Sequence, residues 1–224
     1  MRFLYHAEAG LETLTVEGEA YRYLFKVRRH RRGERVGLRH MRDDTLFWYR
    51  IDTVGRREAV LRLESSGIEP VMPEHPLHLA WCVVDPKTIE KTLPMLNELG
   101  VGRLSFVYCA RSQKNFRLDF SRFERILINS SQQCGRSRLM ALELFERLED
   151  YLEAYPDSFV LDFGGEPIGC KALPNRVLVG CEGGFSEDER KLFKEKGNII
   201  GLNTSLVLRS ETAALTLAAG SVLT

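Results

Sequence analysis

Residues 177–189 read Val-Leu-Val-Gly-Cys-Glu-Gly-Gly-Phe-Ser-Glu-Asp-Glu and place a glycine pair between an apolar run and a helix-start signal. The apolar run is typical of a buried strand, and Ser186 followed by Glu189 is a capping box that opens a helix. Glycines at such a junction permit positive φ and let a ligand approach the peptide groups at the carboxyl end of a strand. The stretch predicts an α/β fold with a ligand loop at 180–184, although a tight turn that binds nothing would need the same residues.

The residues on either side of this stretch alternate between strand and helix patterns. The apolar run Leu77–Val84 predicts a buried strand, followed by a helix that Asp85 caps and Gly100 ends. Pro94 lies inside this helix and is expected to kink or split it. Strands that alternate with helices indicate a mainly parallel sheet. Further strands are predicted at 103–108, 159–163 and 198–202, and further helices at 121–133 with a capping box at Ser121, at 187–197 and at 211–222.

The first 70 residues have a different pattern. Two prolines in the segment 68–73 suggest a linker, so we expect two domains, at 1–70 and 71–224. The first domain is expected to be a compact β-rich module of about five strands, because its apolar runs are short and are separated by glycine and aspartate. The runs that predict these strands are 13–16, 35–38, 45–51 and 59–63.

The first domain also carries a concentrated positive charge. The segment 22–42 holds nine basic side chains and one acidic one, in a chain whose net charge is only +1. Tyr21, Tyr23 and Phe25 lie in or beside this segment. Arginine neutralises phosphate and aromatic faces stack on unpaired bases, so the composition favours a nucleic acid partner. A solvated basic face whose aromatics turn into a core explains it equally well. The candidate RNA-binding residues are Lys26, Arg28, Arg29, Arg31 and Arg32.

A second strand-to-helix junction lies close to the carboxyl terminus. Residues 206–213 read Leu-Val-Leu-Arg-Ser-Glu-Thr-Ala, with Arg209 outside the predicted helix and Glu211 in its first turn, where a carboxylate complements the helix dipole. Ser210 as the N-cap and Arg209 as a surface cation would explain the segment structurally. Two such junctions in one half of the chain strengthen the ligand-site interpretation.

Several classes of protein lose support from the same sequence. It contains no G-x-x-x-x-G-K-[ST] phosphate loop, no G-x-G-x-x-G after a strand and no G-x-S-x-G nucleophile motif. The five cysteines form no C-x-x-C pair and are expected to be reduced thiols, and His75 and His78 lack a third ligand, so no metal is expected. Because no apolar run is long enough for a membrane span or a signal peptide, we expect a cytoplasmic protein.

Four ordered motifs resemble those of the RsmE-type 16S rRNA uridine-N3 methyltransferases, which belong to the SPOUT class. Lys26-Val27-Arg28-Arg29 followed by Gly33-Glu34 also resembles the basic signature of the RNA-binding module in this family. The resemblance implies a knotted α/β methyltransferase domain preceded by a small PUA-like β-barrel domain. The four motifs are Asn97–Val101, Gln133–Arg136, Val179–Ser186 with Glu189, and Leu208–Ala213.

The resemblance also implies the substrates and the site. The donor would be S-adenosyl-L-methionine, and the acceptor would be a uridine of 16S rRNA in the small ribosomal subunit, with a homodimer completing each cofactor pocket. Arg209 would stabilise the negative charge on the uracil, and Glu211 would orient Arg209 or accept a hydrogen bond. Arg136 would be a second candidate for the stabilising cation and would also bind RNA. The implied cofactor-binding residues are Gly180, Glu182, Gly183, Gly184, Gly201, Leu202, Leu208, Ser210, Thr212 and Ala213.

The chain departs from the family pattern at a few positions. Cys181 replaces a usual proline, Thr204 replaces a usual glycine, and Arg22 and Tyr23 replace two usual histidines. The cysteine is expected to change loop stiffness, and Thr204 is expected to crowd the cofactor unless Gly201 preserves the space. Two rival hypotheses are a catalytically silent RNA-binding or ribosome-assembly protein and a small-molecule α/β enzyme with an incidental basic patch.

Overall fold

The structure of this chain, a computed structural model, describes residues 3–168 and 173–223. These residues form two compact units. The first comprises the chain up to Met72 together with Ile128–Leu139, and the second comprises Pro73–Leu127 together with the chain from Met140 onward. The sequence predicts a single boundary near Pro70, whereas the structure also assigns residues 128–139 to the first unit. Cys170, one of the five expected thiols, lies outside the described residues.

The first unit contains a curled mixed sheet of five strands in the order β1-β3-β4-β5-β2. The pair β1-β3 is parallel and the other pairs are antiparallel. The expected strands are confirmed, because alternating side chains such as Leu14 and Val16 of β2 enter the core. The strand bounds are β1 Leu4–Tyr5, β2 Thr13–Glu17, β3 Arg35–Arg39, β4 Thr45–Val54 and β5 Glu58–Ile68.

A short helical segment follows β2 and carries the start of the basic run. Helix α1 spans Gly18–Tyr21 and continues as a π-helical turn over Arg22–Val27. Tyr21 is 5% exposed and lies in the hydrophobic core, while Tyr23 and Phe25 pack against it. Of the two interpretations of these aromatics, the structure therefore supports the core position for Tyr21, because the amphipathic turn directs its ring inward and leaves the cations outside.

The second unit is an α/β structure whose six strands are all parallel, in the order β11-β9-β10-β6-β7-β8. Every residue of the central strand β6 is buried, as expected for a parallel strand covered on both faces. The strands are β6 Leu77–Cys82, β7 Val101–Val107, β8 Ala141–Phe145, β9 Phe159–Pro167, β10 Arg176–Val179 and β11 Ile199–Gly201. The helices of this unit are α2 Pro86–Glu98, α4 Leu148–Ala154, α5 Glu187–Lys196 and α6 Ser210–Leu223. Helix α3 Phe120–Cys134 begins in this unit, and its residues from Ile128 onward belong to the first.

Local signals set most of the helix ends. The Asp85 carboxylate accepts a hydrogen bond from the backbone N–H of Lys87 at 2.9 Å and caps α2 as expected, but this helix continues through Pro94 and is not split. The expected capping box at Ser186 and Glu189 is present at the start of α5, which ends at Gly197 with φ 72°. Glycine is favoured there because a Cβ disfavours the left-handed conformation.

The start of α3 differs from the expected one. The Asp119 carboxylate accepts a hydrogen bond from the backbone N–H of Arg122 at 3.0 Å, so Asp119 caps the helix. Ser121 lies inside the first turn and its hydroxyl donates to the same Asp119 carboxylate at 2.6 Å. Asp119 is favoured over Ser121 as the N-cap because aspartate caps helices as effectively as serine and its charge also complements the helix dipole.

A polar network joins strands β6, β7, β8 and β10 of the second unit. Arg176 donates to Nδ1 of His78 at 3.1 Å, and Nε2 of His78 lies 2.8 Å from the Ser105 hydroxyl, which donates to Glu143 at 2.8 Å. A guanidinium can only donate, so Nδ1 accepts and the imidazole is the neutral Nε2–H tautomer. Arg103 completes the network through an ion pair with Glu143. Burial, aided by Arg176, lowers the pKa of His78 to about 4.

This lowered pKa predicts an acid-dependent loss of stability. Unfolded His78 binds a proton near its ordinary pKa of 6.5, whereas folded His78 resists protonation down to about 4. The contribution of His78 to the free energy of unfolding is fully present above pH 6.5. It falls by about 3 kcal/mol as the pH is lowered toward 4. Urea unfolding measured between pH 7.5 and 4.5 tests this, because His78→Gln should flatten the pH dependence. Replacing the exposed His75 by glutamine is the control, and an unchanged slope in His78→Gln would refute the assignment.

Candidate functional site

The second unit contains a cavity of about 770 Å³ at the carboxyl ends of β9, β10 and β11. Segments 161–164, 179–185 and 201–208 and the start of α6 contribute most of the wall. Of the predicted cofactor-binding residues, only Thr212 does not line the cavity. Thr212 is exposed, whereas the neighbouring Ala213 lines the cavity because the next position along a helix points about 100° away. The predicted residues that do line it are Gly180, Glu182, Gly183, Gly184, Gly201, Leu202, Leu208, Ser210 and Ala213.

The glycine loop between β10 and α5 forms one side of the cavity. Its backbone turns back at Gly184, whose N–H donates to the Cys181 carbonyl at 2.9 Å and whose φ is +63°. A Cβ added at Gly180 would lie 3.2 Å from the Phe185 ring, so the loop packs closely against its own apolar anchor. The expected ligand loop is therefore a short turn that brings peptide groups to the cavity surface.

A buried polar relay joins this loop to α6. Nε1 of Trp81 donates to the Ser210 hydroxyl at 2.7 Å, and that hydroxyl donates to the Gly180 carbonyl. Ser210 is the first residue of α6 and not its N-cap, so the expected capping role is corrected. Its hydroxyl instead holds two strand ends together, because it can accept one hydrogen bond and donate another.

The end of β11 and the loop after it form another part of the cavity wall. A Cβ added at Gly201 would lie 2.6 Å from the Gly165 carbonyl oxygen, so glycine is required by the close approach of β9 and β11. Its role is therefore backbone packing, in addition to its place in the cavity wall. Thr204 also lines the cavity, and its hydroxyl accepts a hydrogen bond from the Leu206 backbone N–H at 3.1 Å. The Thr204 side chain therefore stabilises the turn of this loop through a local hydrogen bond.

Charged side chains of both signs surround the cavity. Arg209 and Glu182 are exposed and Glu211 is half-buried, and all three line the wall. In the described part of the chain, no hydrogen bond joins Arg209 to Glu211, so the expected orienting contact is not present. The Arg209 carbonyl accepts a hydrogen bond from the Ala213 N–H at 2.9 Å, which makes Arg209 the N-cap residue that precedes α6. The helix start therefore places its side chain at the cavity.

Sequence reasoning missed several charged residues of the site. Asp162 and Arg190 line the cavity and form a two-point ion pair, with distances of 2.7 and 3.2 Å. The position of Asp162 near the end of a predicted strand could have pointed to it. Arg111 also lines the cavity, but no recognised motif surrounds it. Its placement depends on the loop that follows β7, which the sequence patterns did not describe.

Three buried thiols lie behind the glycine loop. Sγ of Cys109 is 3.6 Å from Sγ of Cys181, and both are free, as is Cys82. Burial raises the pKa of the Cys82 thiol, so it is uncharged at neutral pH. Cys181 is 6% exposed and its sulfur lies 3.7 Å from the Gly184 carbonyl oxygen. The residue that replaces the family's usual proline thus packs the loop from behind.

The proposed RNA-binding residues lie in the first unit. The guanidinium of Arg28 donates to the Tyr23 hydroxyl at 2.6 Å, and Arg29 adopts φ 58°. Arg136 also belongs to the first unit but is only 4% exposed, and its Nε donates to the Arg138 carbonyl at 3.1 Å. A side chain buried to this extent does not present its charge to RNA, so Arg136 is removed from the proposed set. The remaining members are all exposed: Lys26, Arg28, Arg29, Arg31 and Arg32.

Residues 3–168 and 173–223 contain neither a candidate membrane span nor a candidate metal site. No helix there combines the length and the hydrophobicity that crossing a bilayer requires. No group of three or more histidine, cysteine or acidic side chains is arranged to hold a metal ion there.

Known proteins match the chain over most of its length. The family model of the RNA methyltransferase domain matches residues 72–221. Ribosomal RNA small subunit methyltransferase E of Helicobacter pylori is 42% identical over 219 residues, which cover 96% of each chain. The protein of the same name from Aquifex aeolicus is 28% identical over 205 residues, which cover 86% of this chain and 87% of the relative.

Solved structures share the fold. A ribosomal RNA small subunit methyltransferase E from Neisseria gonorrhoeae, bound to S-adenosyl methionine, matches with a TM-score of 0.80 at 22% identity and covers 100% of this chain and 98% of that one. At this identity the match is evidence of fold only. The family model covers more than half of the chain, and the Helicobacter relative is 42% identical over nearly all of it. This chain belongs to the RNA methyltransferase family that includes ribosomal RNA small subunit methyltransferase E.

Proposed function

We propose that this protein transfers a methyl group from S-adenosyl-L-methionine to N3 of a uridine in 16S rRNA of the small ribosomal subunit. The observation that carries the proposal is the cavity at the strand ends, where the glycine loop, Arg209 and Glu211 meet. The names of the relatives support rRNA of the small subunit as the acceptor class. The uridine and its N3 atom rest on the sequence resemblance and form the finer part of the proposal.

The cavity fits a cofactor of this size and chemistry. Its volume of about 770 Å³ lies within the range of small-molecule sites, and its wall combines apolar side chains with backbone groups. The turn at 180–184 exposes peptide groups that can hydrogen-bond polar cofactor atoms, because a Cβ is missing at three of its five positions. S-adenosyl-L-methionine supplies an electrophilic methyl group when bound. Leu202, Leu208 and Ala213 provide the apolar surface that can hold a base or ribose.

The side chains of the chain itself would prepare the uridine. N3 becomes nucleophilic when its imide proton leaves, and the charge that remains spreads over the uracil oxygens. The Arg209 guanidinium can donate hydrogen bonds to those oxygens and stabilise the developing negative charge. Glu211, one residue beyond Ser210 on α6, can accept a hydrogen bond from a substrate group at the same wall. Holding both partners in one cavity lowers the entropic cost of the reaction.

We assign RNA binding to the first unit, which we propose to be a PUA-like barrel spanning approximately residues 1–70. Six of its exposed cations form no ion pair within residues 3–168 and 173–223, so their charge is available to phosphate. They lie together in a short stretch that follows β2. These residues are Arg22, Lys26, Arg28, Arg29, Arg31 and Arg32.

The double replacement of Arg28 and Arg29 by alanine should weaken binding of small-subunit rRNA by about tenfold. It should also reduce the slope of log affinity against log salt by about one to two. The reason is that RNA binding releases fewer counterions when fewer phosphates are contacted. The matched control replaces Arg56 and Arg57, another adjacent pair of exposed arginines in the same unit. Titrations over a salt series measure both slopes. Identical slopes for the two double variants would remove Arg28 and Arg29 from the RNA surface.

The remaining parts of the proposal follow from the family. We propose that the second unit, spanning approximately residues 71–224, has the knotted topology of the SPOUT class, that the protein acts as a homodimer whose partner completes each cofactor pocket, and that it works in the cytoplasm. Sedimentation velocity tests the dimer, since a monomer at micromolar concentration would contradict it.

Two measurements test the proposed function as a whole. Calorimetry should detect binding of S-adenosyl-L-methionine to the purified protein, and mass spectrometry should find one methyluridine missing from the 16S rRNA of a deletion strain. Cofactor binding with unchanged rRNA would point to a different acceptor. Unchanged rRNA without cofactor binding would instead favour the catalytically silent RNA-binding or ribosome-assembly protein. Methylation of a base other than uridine would overturn the finer assignment and preserve the enzyme class.

A further inference from the structure

Arg111 reaches the cavity from the loop that follows β7. Its side chain is exposed and lines the cavity wall beside the glycine loop, and its terminal nitrogen donates to the Gly183 carbonyl at 2.7 Å. Among the described residues it forms no ion pair with an acidic side chain. One guanidinium nitrogen is therefore tied to the glycine loop, and the charge of the group is not neutralised.

The packing around Gly183 is built to hold this arginine. A Cβ added at Gly183 would lie 3.3 Å from Cβ and 3.4 Å from Cδ of Arg111, so the arginine stem lies directly on the glycine. Gly183 does not have a positive φ. Its glycine is thus explained by the close contact with Arg111 and not by backbone conformation.

A second contact fixes the backbone beside Arg111. The carboxylate of Glu189 accepts hydrogen bonds from the Ala110 N–H at 2.8 Å and from the Ser186 N–H at 2.7 Å. Glu189 is only 9% exposed, so this bridge is shielded from water. It joins the Arg111 loop to the start of α5 and fixes the backbone from which the Arg111 side chain extends.

The charges of the cavity leave Arg111 with a distinct role. The Asp162 carboxylate pairs with Arg190, so that cation is already neutralised. Arg209 and Arg111 are the two cavity arginines without an ion pair in the described residues, whereas Arg136 belongs to the first unit. On the basis of the proposed function, we propose that Arg111 is a substrate-binding residue that contacts a backbone phosphate of the RNA nucleotide entering the cavity.

Phosphate is the anion that suits this position. The planar donor fork of a guanidinium binds a permanent phosphate charge, and Arg111 is held against the glycine loop, whereas the charge that develops on the uracil is already assigned to Arg209. The contact would be equally strong before and during methyl transfer. Its loss should therefore raise KM and leave kcat nearly unchanged.

The test compares Arg111→Gln and Arg111→Lys with the wild type, using small ribosomal subunits from a strain that lacks the protein. Glutamine keeps an N–H donor for the loop but removes the charge, and lysine keeps the charge without the fork. We expect Arg111→Gln to raise KM for the subunit by about three- to tenfold and to lower its salt dependence, with kcat within about twofold. Arg111→Lys should recover part of the loss. Arg117→Gln is the matched control, because Arg117 is exposed in the same segment but does not line the cavity.

Calorimetry with S-adenosyl-L-methionine separates this role from two others. An equal loss of cofactor affinity in Arg111→Gln would show that Arg111 only supports the loop or binds the cofactor carboxylate, and it would overturn the proposal. A KM in Arg111→Gln equal to that of Arg117→Gln would overturn it as well. If the wild type neither binds the cofactor nor methylates the subunit, the proposed function itself fails, which is a different outcome.

Discussion

Replacing Arg209 by alanine is expected to lower kcat by about 100- to 1000-fold while changing the dissociation constant of S-adenosyl-L-methionine by less than about threefold. The side chain lines the cavity, and no ion pair neutralises it within residues 3–168 and 173–223. A donor that meets the uracil oxygens as they gain charge acts mainly in the transition state. We expect cofactor binding to depend instead on the backbone of the glycine loop, which this substitution does not touch.

Single-turnover methylation and calorimetry on the same preparation measure the two quantities for Arg209→Ala. Arg209→Lys is the control that retains charge but loses the planar donor fork, and it should have an intermediate rate. Because Arg209 precedes the first residue of α6 and acts there through its backbone, alanine preserves the helix start. If cofactor affinity and kcat fall by the same factor, Arg209 holds the cofactor and is not the group that stabilises the uracil.

Replacing Gly201 by alanine is expected to destabilise the protein by about 3 kcal/mol and to abolish cofactor binding. The added Cβ would lie 2.6 Å from the Gly165 carbonyl oxygen, a distance that ordinary contacts do not reach. The obstacle is backbone, so no side-chain rotation can relieve it. Because Gly201 ends β11 at the cavity wall, the strands must separate where the cofactor is expected to bind.

Two glycines provide matched controls for the Gly201→Ala variant. A Cβ at Gly220, inside α6, meets only Leu173 at an ordinary 3.8 Å, so Gly220→Ala should stabilise the helix by about 0.5–1 kcal/mol. A Cβ at Gly67, inside β5, meets nothing within 4 Å. Thermal unfolding and calorimetry compare the three variants. If Gly201→Ala unfolds at the temperature of Gly67→Ala, the approach of β9 and β11 is looser than the structure has it.

The elements that sequence patterns located correctly are those whose causes lie within a few residues. The helix α5 begins at Ser186 and ends at Gly197 because a hydroxyl, a carboxylate and a left-handed glycine act on the adjacent backbone. The buried strand β6 follows from an uninterrupted apolar run. The predicted start of α3 was wrong for an equally local reason. Asp119 and Ser121 are both residue types that cap helices, and only the folded backbone selects between them.

The errors at the site arise from contacts between distant parts of the chain. Ser210 matches an N-cap in the sequence, but Trp81 and Gly180 recruit its hydroxyl from 129 and 30 residues away. Arg136 matches a basic motif, but the fold buries it in the first unit. Arg111 matches no motif, and only the meeting of two loops brings it to Gly183, 72 residues further along the chain. No pattern in a single segment contains this information.

The sequence alone therefore determined most of the strands and helices in their order, although not β1, α1, β8 or α4. It also determined the parallel α/β class of the second unit, the basic segment and the glycine loop. Each depends on hydrophobic periodicity, capping or charge within one segment, and these act through neighbouring residues. The tertiary structure alone decided which cations face the cavity, why Gly183 and Gly201 must be glycine, and what Ser210 binds. Those properties depend on distances between strand ends that lie far apart in the chain, and such distances exist only after the sheet has assembled.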